Sequence, residues 1–271
     1  MSSLKQKTLK EPIHFEGKGL FEGEQATVRL LPAPVHTGIV FKRIDLENSP
    51  EMKATVDFVG EATRSTKLVK GSASVQTIEH LMAAIYASGI DNLQIEVKGK
   101  EIPIFDGSSL VFMEKIQACG LIEQAAKKEI FKLSSPVYWS KGDIYLAAFP
   151  AEEFRISYTL DYPHSSYLRS QYYSIKLSSQ TFLDQIAPCR TFALYEEVVP
   201  LIEKGILKGG VLENGVVIKG REVLNPEGVR FENEMVRHKI LDLIGDIALV
   251  GNYFLAHIIA IKSGHASHHA F

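Results

Sequence analysis

Cysteine is nearly absent from this chain: only Cys119 and Cys189 occur in 271 residues, in no CxxC pattern. Two such cysteines make no disulfide framework, which points to a reducing compartment. Cys189 has no base beside it in sequence, so a small buried role is expected rather than a nucleophilic one. A charge excess is missing too. The 30 Lys and Arg against 32 Asp and Glu leave a net charge of −2, without the basic surplus of a general nucleic-acid binder. No long hydrophobic run is present either. The nearest, "IALVGNYFLAHIIAI", is broken by Gly251, Asn252 and His257 and is too short and polar for a membrane span. The opening "MSSLKQKTLKEPIHFEG" has lysines but no apolar stretch behind them, so no secretory signal is expected. These absences predict a soluble cytoplasmic protein with no nucleic-acid partner and no membrane span, and a monomer is expected.

Familiar catalytic signatures are lacking as well. There is no H-E-x-x-H, and the inverted H-x-x-E-H would need histidine where Gln76 stands. "KGG" at 208–210 has no Walker spacing around it and reads, like "FDGSS", as a turn.

What is present is ordinary globular composition, 45% hydrophobic and 23% charged, arranged twice in a similar order. In the first half "QATVRLLPA", "TGIVFKRI" and "MKATVDFVGEA" alternate as strands. "SVQTIEHLMAAIYASGI" then reads as a helix stopped at Gly89, "NLQIEVKG" as a strand and "LVFMEKIQACGLI" as a second helix. The lysine-rich "EQAAKKE" (123–129) is the candidate boundary, giving halves 1–124 and 125–271. The second half also opens with strands, "KLSSPVYWS", "DIYLAAFP", "FRISYTLDY" and "SQYYSIKL". After an irregular insertion at about 191–226 it reaches the helix "NEMVRHKILDLIGDIALVG" and the strand "FLAHIIAIKSG". The expected class is α+β, pseudo-duplicated, with sheet and helix layers.

The chemistry gathers on "VRHKILDLIGD". Ile240, Leu241, Leu243 and Ile244 make an apolar stripe, yet His238, Asp242 and Asp246 recur at every fourth position. Groups four apart share a helix face about 6 Å apart along the axis, so His238 and Asp242 can converge on one ion. "TIEH" offers His80 as a third ligand and Glu79 as a base that takes a proton from water. In "KSGHASHH", His265 is suited to protonate a leaving nitrogen, with Asp246 to hold it charged. Lys239 and the hydroxyl of Thr191 in "APCRTFAL" can stabilise negative charge on oxygen. His14, His36, His164, His257, His268 and His269 are expected to be ordinary histidines, the near-terminal pair solvated. Two histidines and a carboxylate also suit non-haem iron, so ligand types alone leave hydrolase and oxygenase both open.

Taken in order, "TIEHLMAAIYASGIDNLQIEV", "EIPIFDGSS", "APCRTFAL", "KGG", "RFENEMVRHKILDLIGD" and "SGH" closely resemble the UDP-3-O-acyl-N-acetylglucosamine deacetylases, zinc amidases of lipid A biosynthesis in Gram-negative bacteria. The likeness starts at "KQKTLKEPIHFEGKGLFEG" and covers nearly the whole chain. It implies two α+β domains forming a β-α-α-β sandwich, with the site between them. It implies loss of acetate from UDP-3-O-(3-hydroxyacyl)-N-acetylglucosamine, with Zn2+ as cofactor and Fe2+ as the cellular alternative. By resemblance His80, His238 and Asp242 hold the metal, Glu79 is the base, and His265 with Asp246 the acid pair. Thr191 and Lys239 face the oxyanion and substrate. The insertion forms an acyl passage with Phe192 near its mouth, and Lys262 matches a position associated with the nucleotide diphosphate. Phe21 stands where many relatives carry histidine, and Thr63 where some carry a cysteine near the metal. Relatives are expected to continue past Phe271 into a terminal helix.

Overall fold

The computed structural model describes residues 4–61 and 64–271, so Thr63 lies outside the described residues. Among these residues the α-helices are α1 (Glu79–Ser88), α2 (Leu110–Cys119), α3 (Ser179–Gln185), α4 (Tyr195–Glu203), α5 (Glu234–Ile247) and α6 (His265–Ala270). Helix α1 is apolar almost all round after Glu79 and His80, which calls for burial on every side, whereas α5 pairs an apolar stripe with a file of ionisable groups. Every residue of α1 from Glu79 to Ala87 is buried, as are most of α5, and the two pack against each other.

Two sheets enclose this helix pair. The five-stranded sheet runs in the order Ile13–Lys18, Gln25–Pro32, Leu93–Lys98, Ile39–Arg43 and Glu51–Lys53. The larger sheet runs Val137–Lys141, Ile144–Pro150, Tyr253–Ile261, Arg155–Tyr162 and Arg169–Lys176, with Ile130–Lys132 added beside Tyr253–Ile261. The duplication is therefore topological. In each sheet the strand that follows the central helix inserts between two earlier ones, antiparallel to one and parallel to the other. Alternation supplies the inner faces: Ala256, Ile258 and Ala260 of Tyr253–Ile261 are buried, as are Ala26, Val28 and Leu30 of Gln25–Pro32.

Three segments depart from the sequence expectation. The helix expected from Ser74 begins only at Glu79, because Ala73–Gln76 pairs with Lys67–Lys70 and Thr77 then turns the chain at φ +59°. A β-branched residue in that region is strained, of order 1–3 kcal/mol, and here it delivers Glu79 to the first turn of α1. Among the described residues of "MKATVDFVGEA", only Met52 and Lys53 lie in a strand, Glu51–Lys53, and a 3-10 turn follows at Val56–Phe58. The polar stretch at 123–129 enters the strand Leu121–Lys127, which pairs with Lys5–Leu9, since backbone pairing needs no apolar side chains. We propose that the two halves, 1–124 and 125–271, meet in this strand.

Gly245 sets the approach of the central helices. A Cβ there would meet the carbonyl oxygen of Glu79 at 2.1 Å and its Cα at 2.9 Å. The obstruction is backbone and cannot swing away. Gly245→Ala is expected to cost about 1–3 kcal/mol, read as a melting temperature lower by about 2–4 °C per kcal/mol. An unchanged melting curve would mean that the helices separate freely.

Candidate active site

The close helix contact puts the start of α1 against the middle of α5. His80 and His238 meet edge to face with ring centroids 5.0 Å apart. The Asp242 Oδ1 atom lies 3.3 Å from His238 Nε2 and 3.7 Å from His80 Nε2. Ligands at about 2.0–2.1 Å on tetrahedral corners stand about 3.4 Å apart, so these separations fit one small divalent ion. All three side chains are buried. His238 Nδ1–H donates to the Cys189 carbonyl at 3.0 Å, which leaves Nε2 with its lone pair for a ligand role. Burial lowers the His238 pKa to about 4 against the opposing charge of Asp242, so the ring is neutral. Burial would raise the Asp242 carboxyl, but Lys239 and His238 outweigh it and hold it well below the usual range. Lys239 Nζ donates to Asp242 Oδ2 at 2.5 Å.

Glu79 stands beside this set. Its Oε2 accepts the Thr66 backbone N–H at 3.0 Å, and its Oε1 lies 3.8 Å from His265 Nε2. Burial raises the Glu79 pKa, with His265 and His80 working against that rise. His265 Nδ1–H donates to Asp246 Oδ2 at 2.7 Å. Burial alone would lower the His265 pKa, but the charge and hydrogen bond of Asp246, with Glu79, push it up to about 9. Asp246, His265 and His268 form a second close group whose polar atoms are already hydrogen-bonded to one another.

Thr191, Phe192, Lys239 and Lys262 line one cavity of about 1370 Å³ that also reaches Glu79, His80, His238, Asp242 and His265. The Phe192 ring is 6.5 Å from that of His238. Thr191 is held by its backbone, donating to Gly107 at 2.7 Å and accepting from Val216 at 2.7 Å. Lys262 is paired with two carboxylates, its Nζ 2.5 Å from Asp143 and 3.4 Å from Asp161. The insertion pairs Phe192–Leu194, Val216–Lys219 and Glu222–Val223 beside α4. Leu194, Val198, Ile202, Leu207 and Val217 give the adjoining part of the cavity an apolar wall. Phe21 lines the same space.

A family profile described as UDP-3-O-acyl N-acetylglycosamine deacetylase matches residues 6–271. The chain belongs to this family. A Chlamydia pneumoniae protein named UDP-3-O-acyl-N-acetylglucosamine deacetylase is 49% identical over 267 residues, covering 98% of this chain and 95% of its own length. Proteins of the same name from Chlamydia caviae and Chlamydia trachomatis serovar L2 are 48% and 46% identical over 262 residues. Each covers 97% of this chain, and the shares of their own lengths are 93% and 91%.

Several residues at the site escaped the sequence reading. His268, expected in solvent, is buried, and its Nδ1–H donates to Asp246 Oδ2 at 2.7 Å. His269 is also drawn in, 3.4 Å from Asp246 Oδ1. The signal was available: His265 and His268 are three apart, which on a short helix is one face. Arg190 left no such signal. It is buried, and its Nε and Nη2 donate to Glu234 at 2.9 and 3.2 Å while its backbone N–H donates to the same carboxylate at 2.9 Å. This clamp fixes residues 189–191 on α5, setting both the Cys189 carbonyl under His238 and the position of Thr191. Cys189 itself is buried, as expected, and burial raises its thiol pKa.

Proposed function

We propose that this chain hydrolyses the 2-acetamido group of UDP-3-O-(3-hydroxyacyl)-N-acetylglucosamine and releases acetate, the committed step of lipid A biosynthesis. The observation that carries the reading is the approach of Glu79 Oε1 to His265 Nε2, 3.8 Å, beside the buried His80, His238 and Asp242. A base and an acid thus share one cavity with a set of metal-ligand atoms. His80, His238 and Asp242 hold Zn2+ in this reading, with Fe2+ as the cellular alternative. When bound, such an ion supplies Lewis acidity to the amide carbonyl and makes water easier to deprotonate.

The protein's own groups do the rest. Glu79 Oε1 takes the proton of the attacking water, and burial has moved its pKa toward the working pH. Lys239 and Thr191 face the negative charge that develops on the carbonyl oxygen. As the C–N bond breaks, His265 Nε2–H protonates the leaving nitrogen, so acetate departs and a free amine remains on the sugar. Asp246 accepts from His265 Nδ1 and keeps the ring charged beforehand. The apolar wall of the insertion accepts the acyl chain past Phe192, and Lys262 serves the diphosphate. Every group named comes from one chain, which suits a monomer, and we place the enzyme in the cytoplasm. No helix among the described residues is long and apolar enough to cross a membrane.

The test is acetate release from this substrate by metal-free protein, before and after one equivalent of zinc. Zinc-dependent release is expected. No release from folded, zinc-loaded protein would sink the reading and favour a binding protein for nucleotide sugars.

The same assay carries a pH prediction. The acid must be protonated, and His265 titrates near 9, so kcat is expected to fall tenfold per pH unit above about 9. Because the folded pKa lies above the ordinary histidine value of 6.5, His265 adds stability that is complete below 6.5 and is lost as pH rises through about 9. A basic limb near the ordinary histidine value would show that Asp246 does not hold the ring charged.

A further inference from the structure

Thr66 enters the site from the residue before the strand Lys67–Lys70 and is only 1% exposed. Its backbone N–H donates to Glu79 Oε2 at 3.0 Å. Its hydroxyl lies 2.5 Å from Asp246 Oδ1, 3.1 Å from His269 Nε2 and 3.2 Å from His265 Nδ1. The hydrogens can be assigned from donor and acceptor chemistry. An ionised carboxylate only accepts, so the hydroxyl proton goes to Asp246 Oδ1. His265 Nδ1–H is already used by Asp246 Oδ2 at 2.7 Å, which leaves the hydroxyl lone pair to accept from His269 Nε2–H. His268 Nδ1–H takes the other approach to Oδ2 at 2.7 Å, and its Nε2 accepts the Ser263 hydroxyl at 2.9 Å. One Asp246 oxygen therefore serves two rings, and Thr66 is the closest partner of the other.

We propose that Thr66 is a positioning residue that holds the base on α1 and the acid pair on α5 and α6 in one fixed relation. The inference rests on the reading of Glu79 as base and His265 as acid. The main chain of Thr66 ties down Glu79 Oε2 and leaves Oε1 free to face His265 Nε2 at 3.8 Å. Its side chain stops the Asp246 carboxylate from turning, and with it the His265 ring. Attack by water and protonation of the leaving nitrogen act on one amide, so the two groups must be placed together. A misplacement of about 1 Å can cost about 100-fold in rate.

The experiment compares zinc-loaded full chain with Thr66→Val, which keeps the shape and the N–H but removes the hydroxyl, and with Thr66→Ser, which keeps the hydroxyl. Thr66→Val is expected to lower kcat about 10- to 100-fold, with KM within about twofold and metal content unchanged. Thr66→Ser is expected to retain kcat within about threefold. The imidazole 15N spectrum of the metal-loaded forms reads the same hydrogen bonds without turnover. The His265 and His269 signals should move in Thr66→Val and stay in Thr66→Ser. If Thr66→Val does not fold, Thr66→Ala takes its place beside Thr66→Ser. A kcat for Thr66→Val within about threefold of the parent would overturn the proposal. So would a Thr66→Ser variant as slow as Thr66→Val, since packing of the methyl group would then be the cause. A parent chain that releases no acetate would overturn the functional reading first, and this inference with it.

Discussion

Glu79→Gln keeps the metal and lowers kcat for acetate release by about 100- to 10,000-fold, the span that a positioned general base contributes. The substitution keeps the shape and the acceptor oxygen that the Thr66 N–H binds at 3.0 Å. It removes the ability to take a proton, together with the negative charge that faces His265 Nε2 at 3.8 Å. Glu79 is absent from the group formed by His80, His238 and Asp242, so metal content is expected to stay at the parent level. KM should change little, because in the proposed mechanism the group acts on water and not on the sugar, acyl chain or nucleotide. Metal analysis beside steady-state kinetics separates the alternatives. Loss of metal would make Glu79 a ligand, and near-parent kcat would mean that another group takes the proton.

Asp242→Ala is expected to have the largest effect on metal binding, because the residue does two things. Its Oδ1 faces both imidazoles at 3.3 and 3.7 Å, and its Oδ2 accepts from Lys239 Nζ at 2.5 Å. Zinc affinity, measured by competition with a chelator, should fall by more than the 10- to 100-fold typical of losing an outer hydrogen bond. The metal-free protein should weaken as well. Removing one partner of a buried ion pair costs about 3–5 kcal/mol. The Lys239 side chain is 17% exposed, so water recovers part of that cost and the loss should sit at or below the lower end. Asp242→Asn keeps the shape but not the charge, and should show most of both effects. A variant that binds zinc as the parent does would remove Asp242 from the ligand set.

The parts of this protein that were legible in the sequence are those that lie within one element. His238 and Asp242 four apart on α5, with Asp246 one turn on, followed from helical periodicity, and α5 does span Glu234–Ile247. The repeated order of strands, helix and strand returned as the same insertion of a late strand into each sheet. Where periodicity was read too far, backbone conformation intervened. "SVQ" pairs as a strand with Lys67–Lys70 and Thr77 then turns at φ +59°, and no hydrophobic pattern announces a positive φ at threonine.

By itself, the sequence determined the chemical types and their local spacing: the helix carrying His238, Lys239, Asp242 and Asp246, the Glu79–His80 pair and the SGH segment. Side-chain periodicity and short-range geometry specify such things without reference to the rest of the chain. Only the tertiary structure decided which of these groups meet. Thr66 reaches Asp246 across 180 positions of sequence, and Arg190 finds Glu234 across 44. His268 leaves solvent because α6 folds back on α5. Lys262 is met by Asp143 and Asp161, from a turn and a neighbouring strand. Such meetings depend on how two sheets close over a helix pair whose approach is set at Gly245, and no local pattern encodes a distance between elements.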